Sequence, residues 1–246
     1  MMKIQEDKSY KLADYLVRSS DQYALTKYQI VMDWLPKQDN LRILNAGCGS
    51  GEMNILLTQN SSWQVDAIDV DDEAIRISNQ LKTENHLDNL QVFKTSIEDF
   101  REQNNKYDVI VSNDVLEHIE DDVAAMKKLA TLLKPNGMLC ISVPALQWLF
   151  GYHDEQLGHY RRYNKRNLTR KLDQFFQIKK SRYFAGCLIP IALLYSCWLR
   201  KSYPVGKQGK ESLITKTLKL LLTTEAKIAL PIGTSLLVMA TAEDNF

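Results

Sequence analysis

The chain is short of cysteine, of long apolar runs and of net charge, and each shortage narrows what it is. Its four cysteines, Cys48, Cys140, Cys187 and Cys197, form no C-x-x-C pair and no other metal-binding spacing, which predicts reduced thiols in a cytoplasmic protein. Met1 to Asp7 carries charges and no apolar core, so no signal peptide is expected. There is no internal repeat and no low-complexity linker. The uncharged stretch Tyr183–Leu199 has seventeen residues, the lower limit for a bilayer span, and Gly186 and Pro190 interrupt it. A buried or interfacial helix is expected there rather than a transmembrane one. The formal net charge of +1 hides an asymmetry. Between residues 160 and 219 fifteen Lys and Arg face two acids, Asp173 and Glu211; elsewhere sixteen basic residues face twenty-eight acidic ones. Such a division fits either an anionic partner or a solvated basic face. With 45% apolar and 25% charged residues, 246 residues suit one soluble α/β domain.

What is present is organised around Leu41–Leu57, an apolar strand that runs through Gly47, Gly49 and Gly51 into a helix from about Glu52. Glycines at alternate positions allow positive φ and a close approach of the main chain, and the following helix aims its first amides at whatever binds there. A dinucleotide loop needs G-x-G-x-x-G, and Glu52 occupies the third glycine position, which argues against a nicotinamide oxidoreductase. A second strand, Trp63–Asp69, ends in an acid eighteen residues beyond Gly51, where a carboxylate can accept both hydroxyls of a ribose. The alternative role for Asp69 is to cap the next helix, for which Asp71 is better placed. Strands are expected at Leu90–Lys94, Tyr107–Ser112 and, after a turn at Lys134–Gly137, Met138–Val143. Helices are expected at Glu52–Gln59, Asp72–Lys82 and Asp121–Leu133, so the alternation implies a parallel sheet with right-handed crossovers.

The G-x-G-x-G loop, the acid after the second strand and the run Asn113-Asp114-Val115-Leu116-Glu117-His118 together resemble the class I S-adenosylmethionine-dependent methyltransferases. The resemblance implies a single Rossmann-like α/β domain with a seven-stranded, mostly parallel sheet in the order 3-2-1-4-5-7-6 and helices on both faces. It divides the chain into a helical lid (1–36), a cofactor core (37–184), an apolar and basic insertion (185–232) and the last strand (233–246). It implies S-adenosylmethionine as cofactor, with S-adenosylhomocysteine as product. The implied contacts are Asn45, Gly47, Gly49, Gly51, Asp69, Val70 beside the adenine, Ser96, Ile97 and Asn113. Asn45 and Ser96 stand where the family commonly has acids, so weakened binding is expected. No Asn/Asp-Pro-Pro-aromatic stretch follows the fourth strand, which argues against methylation of nucleic-acid bases.

Pro144–Tyr163 carries two of the four histidines, three tyrosines and two adjacent arginines in an expected loop at the carboxyl ends of the strands, where open α/β sheets bind ligands. Its segment Gly158-His159-Tyr160-Arg161-Arg162-Tyr163 resembles the histidine loop of quinone-biosynthesis O-methyltransferases. His159 is therefore the candidate general base, the alternative being a stacking or capping role. His153, Tyr160, Arg161, Arg162 and Tyr163 are candidate acceptor contacts, the arginines as clamps for a carboxylate or phosphate. Asp114, Glu117 and His118, spaced i, i+3, i+4, resemble a cation set of some quinone O-methyltransferases; a structural turn is favoured, and no metal is expected. Helices are expected at Tyr10–Arg18 and Asp21–Leu35. Tyr23, Lys27 and Tyr28 of the second are expected on a solvated face, with a reach to cofactor or substrate as the alternative.

Leu213–Leu222 spaces apolar residues along one face with Lys216 and Lys219 off it, a basic amphipathic helix. It precedes the last strand, Thr234–Ala242, and the insertion either lids an apolar pocket or rests peripherally on a membrane. With the terminal Pro231-x-Gly233-x-Ser235-Leu236-Leu237, the arrangement resembles a bacterial methyltransferase subgroup associated with lipid-linked or envelope-sugar pathways. The expected function is O-methylation of a small, amphiphilic or anionic acceptor, a natural product or lipid-linked metabolite. The alternatives are N-methylation of a small amine or amino sugar, and a non-catalytic S-adenosylmethionine-binding partner protein.

Overall fold

Ile43, Leu44 and Ala46 are wholly shielded from solvent, and this stretch becomes the middle of the sheet. The computed structural model describes residues 21–101, 106–201 and 213–243. In it β1 (Arg42–Ala46) pairs in parallel with β2 (Gln64–Asp69) on one side and β4 (Tyr107–Asn113) on the other. With β3 (Leu90–Lys94), β5 (Leu133–Pro144), β6 (Phe176–Phe184) and β7 (Ser235–Ala242), the order is β3-β2-β1-β4-β5-β7-β6. Only β7 is reversed, running antiparallel to both β5 and β6. The seven-stranded order expected from the sequence is the order found.

Successive strand residues point to opposite faces, and the core divides accordingly. Leu44, Ile68, Ile110 and Ile141 face one layer with Ala125, Met126 and Leu129 of α4 (Asp122–Leu132). Ile43, Val65, Val111 and Leu237 face the other, against α1 (Gln22–Trp34) and α2 (Glu52–Thr58). Each fully buried Leu or Ile contributes about 1.5–3 kcal/mol, so burying both faces fixes the register firmly. α3 (Asp72–Glu84) follows β2 and is capped by Asp71, whose side chain accepts from the amides of Glu73 and Ala74.

The expected turn at Lys134–Gly137 lies inside β5 as an irregularity. The pairing with β4 jumps from Tyr107 opposite Leu133 to Val109 opposite Met138, and Asn136 takes a φ of +58°. Tyr183 and Phe184 finish β6, and a helix follows as α7 (Ile189–Ala192), widening into a π-helical stretch over Leu193–Trp198. α5 (Tyr152–Leu157) and α6 (Lys165–Leu172) lie between β5 and β6, and α8 (Leu213–Glu225) precedes β7. The expected helix Tyr10–Arg18 lies outside the described residues. Among the described residues no helix is long and apolar enough to cross a membrane.

Candidate active site

The loop between β1 and α2 is shaped by its glycines. Gly47, Gly49 and Gly51 have φ of +82°, +49° and +85°. A Cβ on Gly47 would lie 2.3 Å from Val115 Cγ2, and one on Gly51 would lie 2.9 Å from Leu81 Cδ1. The amides of Gly47 and Cys48 both donate to Ile68 O, at 2.9 and 3.0 Å, which folds the loop over the end of β2. Asp69 closes it from the other side: its Oδ2 accepts from Gly49 N at 2.9 Å and its Oδ1 from Asp71 N at 3.0 Å. Burial pushes the Asp69 carboxyl above the usual range against the opposing amides of Asp71 and Gly49. Because Asp71 caps α3, Asp69 is left to the loop. Val70 beside it is 64% exposed, an apolar side chain open to solvent just past the end of β2. Cys48 is buried against Ser78, and burial pushes its thiol up to about 12, so it is a small inert filler.

The other expected cofactor contacts divide. Asn113, at the end of β4, accepts from Ser142 Oγ through Oδ1, and its buried Nδ2 has no hydrogen-bond partner among the described residues. A buried amide group left in that state is a place for a ligand acceptor. Asn45 is 1% exposed and donates from Nδ2 to Asn54 Oδ1 at 2.7 Å, so its amide braces α2. Ser96 is turned inward on its own segment, donating to Asp99 Oδ2 and accepting from Asp99 N, both at 3.0 Å. Ile97 is buried in the core with Leu44 and Ile68.

The loop from Pro144 to Tyr163 is pinned at its ends, with Leu146 N donating to Tyr163 O and Tyr163 N to Pro144 O, each at 2.8 Å. Within it α5 begins at Gly151, whose amide donates to Asp154 Oδ2 at 3.0 Å, and stops at Gly158, where φ is +70°. Asp154 is fully buried, and Oδ1 receives both His159 Nδ1, at 2.9 Å, and Arg162 Nε, at 2.7 Å. Burial alone would raise this carboxyl, but the His159 hydrogen bond and the Arg162 guanidinium outweigh it and hold it below the usual range. His159 Nδ1 is thus committed to a carboxylate, the arrangement that orients an imidazole whose Nε2 does the work.

Three expected acceptor contacts are engaged within the protein. Arg162 is 7% exposed, spent on Asp154 and on Ala145 O. Arg161 donates to Ile119 O and Glu120 O at 2.7 Å and lies 3.4 Å from Asp122. Tyr163 is buried with its hydroxyl donating to Asp122 Oδ2 at 2.8 Å. A guanidinium or phenol that leaves water needs such partners, so these side chains build the loop. Tyr160 is different: half of it is exposed, with the Arg161 guanidinium 5.4 Å over its ring. His153 is half-buried, its amide bonded to Ser196 Oγ at 3.0 Å.

The loop reaches across to the end of β4, where Tyr160 N donates to Glu117 O at 2.8 Å. The rings of His118 and His159 meet edge to face with centroids 4.6 Å apart. Ligand atoms of Glu117, His118 and His159 all lie within 4.8 Å of one another, a set that can hold a metal ion. Asp114 does not join it. Its φ is +55°, Leu116–His118 is a short 3-10 turn in place of a helical one, and the Asp114 carboxylate is paired with Lys27 of α1.

Asp154 is the residue that sequence reasoning missed, and Lys27 is the one whose expected surroundings differ. Lys27 is fully buried and not on a solvated face: its ammonium binds Asp114 and lies 4.8 Å over the Tyr23 ring, and the Tyr23 hydroxyl bonds Ser235. Burial would lower its pKa, but Asp114 and the neighbouring tyrosines hold it well above the usual lysine range. The signal for Asp154 was its position three residues after Gly151, where a carboxylate closes a helix N-terminus.

A profile described as a methyltransferase domain matches residues 37–187. Among curated proteins, the ribosomal protein L11 methyltransferase of Acetivibrio thermocellus is 27% identical over 105 residues, 43% of this chain and 32% of that protein. The ubiquinone biosynthesis O-methyltransferase of Haemophilus ducreyi is 31% identical over 106 residues, 41% and 44% of the two chains. The chain thus spans less than half the length of these relatives. The N-methyltransferase NodS of Bradyrhizobium japonicum superposes with a TM-score of 0.58 at 15% identity, over 92% of this chain and 99% of that one. Phosphoethanolamine N-methyltransferase 2 of Haemonchus contortus, solved with S-adenosyl-L-methionine, superposes with a TM-score of 0.66 at 14% identity, over 95% and 58%. These likenesses show the fold, and the profile, which covers more than half of the chain, shows the family. The chain belongs to the methyltransferase-domain family of S-adenosylmethionine-dependent, class I proteins.

Proposed function

We propose that the protein transfers the methyl group of S-adenosylmethionine to an oxygen of a small amphiphilic or anionic acceptor. The observation that carries this reading is that the glycine cradle closed by Asp69 and the Asp154-oriented His159 lie at the same carboxyl edge of one sheet, after β1, β2 and β5. The cofactor fits the residues present: a cradle that a Cβ would fill at Gly47, a carboxylate at the tip of β2, exposed Val70 and the unsatisfied Asn113 amide. It supplies a methyl group already activated on a sulfonium. The chain has then to hold the acceptor in line, exclude water and take a proton from a hydroxyl, a task that falls to His159 Nε2. Tyr160 is the acceptor contact that its exposure favours, and half-buried His153 is a second candidate.

N-methylation is the second reading, since two of the similar structures bear N-methyltransferase names. An amine is nucleophilic once neutral and needs the base less. Calorimetric titration with S-adenosylmethionine, followed by parallel screens of hydroxyl and amine acceptors on the intact protein and on His159→Gln, tests both. Turnover of a hydroxyl acceptor that falls at least tenfold in the variant is expected. Amine turnover that the variant leaves intact establishes the second reading, and tight cofactor binding with no acceptor turned over leaves a binding protein.

A further inference from the structure

Eight of the eleven large apolar side chains that stand exposed among the described residues fall between 191 and 232. α7 and its continuation place Ile191, Leu194 and Trp198 on the outside, Trp198 at 81% exposure, while Ala192 and Ser196 are buried and Leu193 and Cys197 pack on the core. The helix is thus apolar on both sides. A helix of that kind belongs inside a protein or against an apolar phase. α8 repeats the pattern: Leu222 is buried, and Leu220 and Leu221 stand outside at 66% and 45%.

Neither surface is a loose flap. Both oxygens of the Glu225 carboxylate accept the amides of Gly186 and Cys187, at 2.8 and 2.9 Å, which ties the end of α8 to the start of the α7 segment. Arg182 of β6 donates to the carbonyls of Glu225, Ala226 and Ile228 at 2.7 Å. Glu225 is the one acid among the described residues between 191 and 232, and Lys201, Lys216, Lys219 and Lys227 of the same stretch are exposed.

We propose that this apolar, lysine-rimmed surface docks the protein peripherally on an anionic lipid bilayer. The charged side chains at these positions are mostly basic, with Glu155 paired to Arg200 and Asp33 near Lys227, so they complement a negative headgroup layer, whereas a second copy would set lysines against lysines. Exposed Trp beside Lys is the side-chain pairing of a membrane–water boundary. The same surface adjoins the acceptor loop: His153 N and Ser196 Oγ are bonded, Gly151 lies against Ser196, and Arg200 pairs with Glu155 at 2.5 Å. An amphiphilic acceptor would therefore leave the bilayer close to His159, a consequence that rests on the methyl-transfer reading, whereas the docking does not.

Flotation of the full chain with phosphatidylcholine vesicles, with and without phosphatidylglycerol, tests the docking independently of catalysis. Binding that needs phosphatidylglycerol and weakens at high salt is expected. Leu194→Ser/Trp198→Ser should weaken it roughly tenfold or more through lost apolar burial. Lys216→Glu/Lys219→Glu, at two exposed positions, should do the same through charge. S-adenosylmethionine affinity, read in parallel, should stay unchanged in both and reports separately on the family's cofactor site. No vesicle binding by the intact chain at low salt, or equal binding by both variants, overturns the proposal. So does self-association that Leu194→Ser/Trp198→Ser abolishes, which would give the face to a second copy.

Discussion

His159 Nδ1 and Asp154 Oδ1 are 2.9 Å apart, and the same carboxylate oxygen takes the Nε–H of Arg162 at 2.7 Å. One buried acid therefore decides both which tautomer the imidazole adopts and where a buried guanidinium leaves its charge. Asp154→Asn keeps the shape and removes the charge that selects the Nδ1–H tautomer. With a hydroxyl acceptor, kcat should fall roughly 10- to 100-fold with KM little changed, against roughly 10²- to 10⁴-fold for His159→Gln. A change confined to KM would make Asp154 a loop-packing residue only.

The same carboxylate makes a prediction about acid stability. Its folded pKa is depressed, so its contribution is present above the unfolded value of about 3.9 and is lost as pH falls through the folded value. Removing it strands Arg162, which should cost about 3–5 kcal/mol at neutral pH. Urea unfolding of wild type and Asp154→Ala across the acid range should show that gap closing below about pH 4. A gap that stays constant into strong acid would mean that packing, not charge, is lost.

Lys27 and Asp114 make an asymmetric pair, with side chains 1% and 23% exposed. Asp114→Asn leaves a buried ammonium without its counter-ion, whereas Lys27→Met leaves a carboxylate that water already reaches. The first should therefore cost more, about 3–5 kcal/mol against about 1–3. Lys27's raised pKa makes its contribution complete below the unfolded value of about 10.4, and it is lost as pH rises through the folded value. Denaturant melts from neutral pH to about 10 should show a constant difference for Lys27→Met. Equal costs for the two variants would count against the ion pair.

The strands were legible because β1, β4 and β5 are buried on both faces and so read as apolar runs between turns, whereas their order came from the family resemblance. The glycine loop and Asp69 were legible because their spacing is local. Lys27, Arg161, Arg162 and Tyr163 were not. A lysine on a helix face is solvated unless a carboxylate 87 residues away arrives beside it, as Asp114 does. The two arginines read as anion clamps because their carboxylate and carbonyl partners, Asp154, Ile119 and Glu120, become neighbours only when the loop folds against the end of β4. The partner of Asn45 was hidden for a related reason: Asn54 sits on the next helix, pointing back at the strand.

The cofactor cradle should fail in two separable ways. Gly47→Ala combines a positive φ with a 2.3 Å approach to Val115 and should lower stability by about 1–3 kcal/mol as well as abolish cofactor binding. Asp69→Ala removes the acceptor of two loop amides and should lower stability by about 1–3 kcal/mol without a steric clash, while S-adenosylmethionine affinity falls roughly tenfold or more for a lost charged hydrogen-bond acceptor. Because burial raises the Asp69 carboxyl, affinity for the intact protein should decline at a higher pH than an ordinary aspartate would set. Calorimetry at stepped acid pH measures this, and affinity flat with pH in wild type would remove Asp69 from the ribose.

Glu117, His118 and His159 offer one carboxylate and two imidazoles within 4.8 Å, and a carboxylate behind a ligating histidine is also what a metal site uses. The two roles compete for one atom. With Nδ1 bonded to Asp154, His159 has only Nε2 left, and a cation there would prevent it from taking a proton from the acceptor. The base reading therefore requires the position to stay metal-free during turnover. Methyl transfer should be unchanged in chelator and should fall roughly 10²- to 10⁴-fold in His159→Gln with or without added metal. Activity lost in chelator and restored by Mn²⁺ or Mg²⁺ would reverse the assignment. In that case Glu117→Gln should abolish the metal response, and the Asp154–His159 bond would serve to orient a ligand in place of a base.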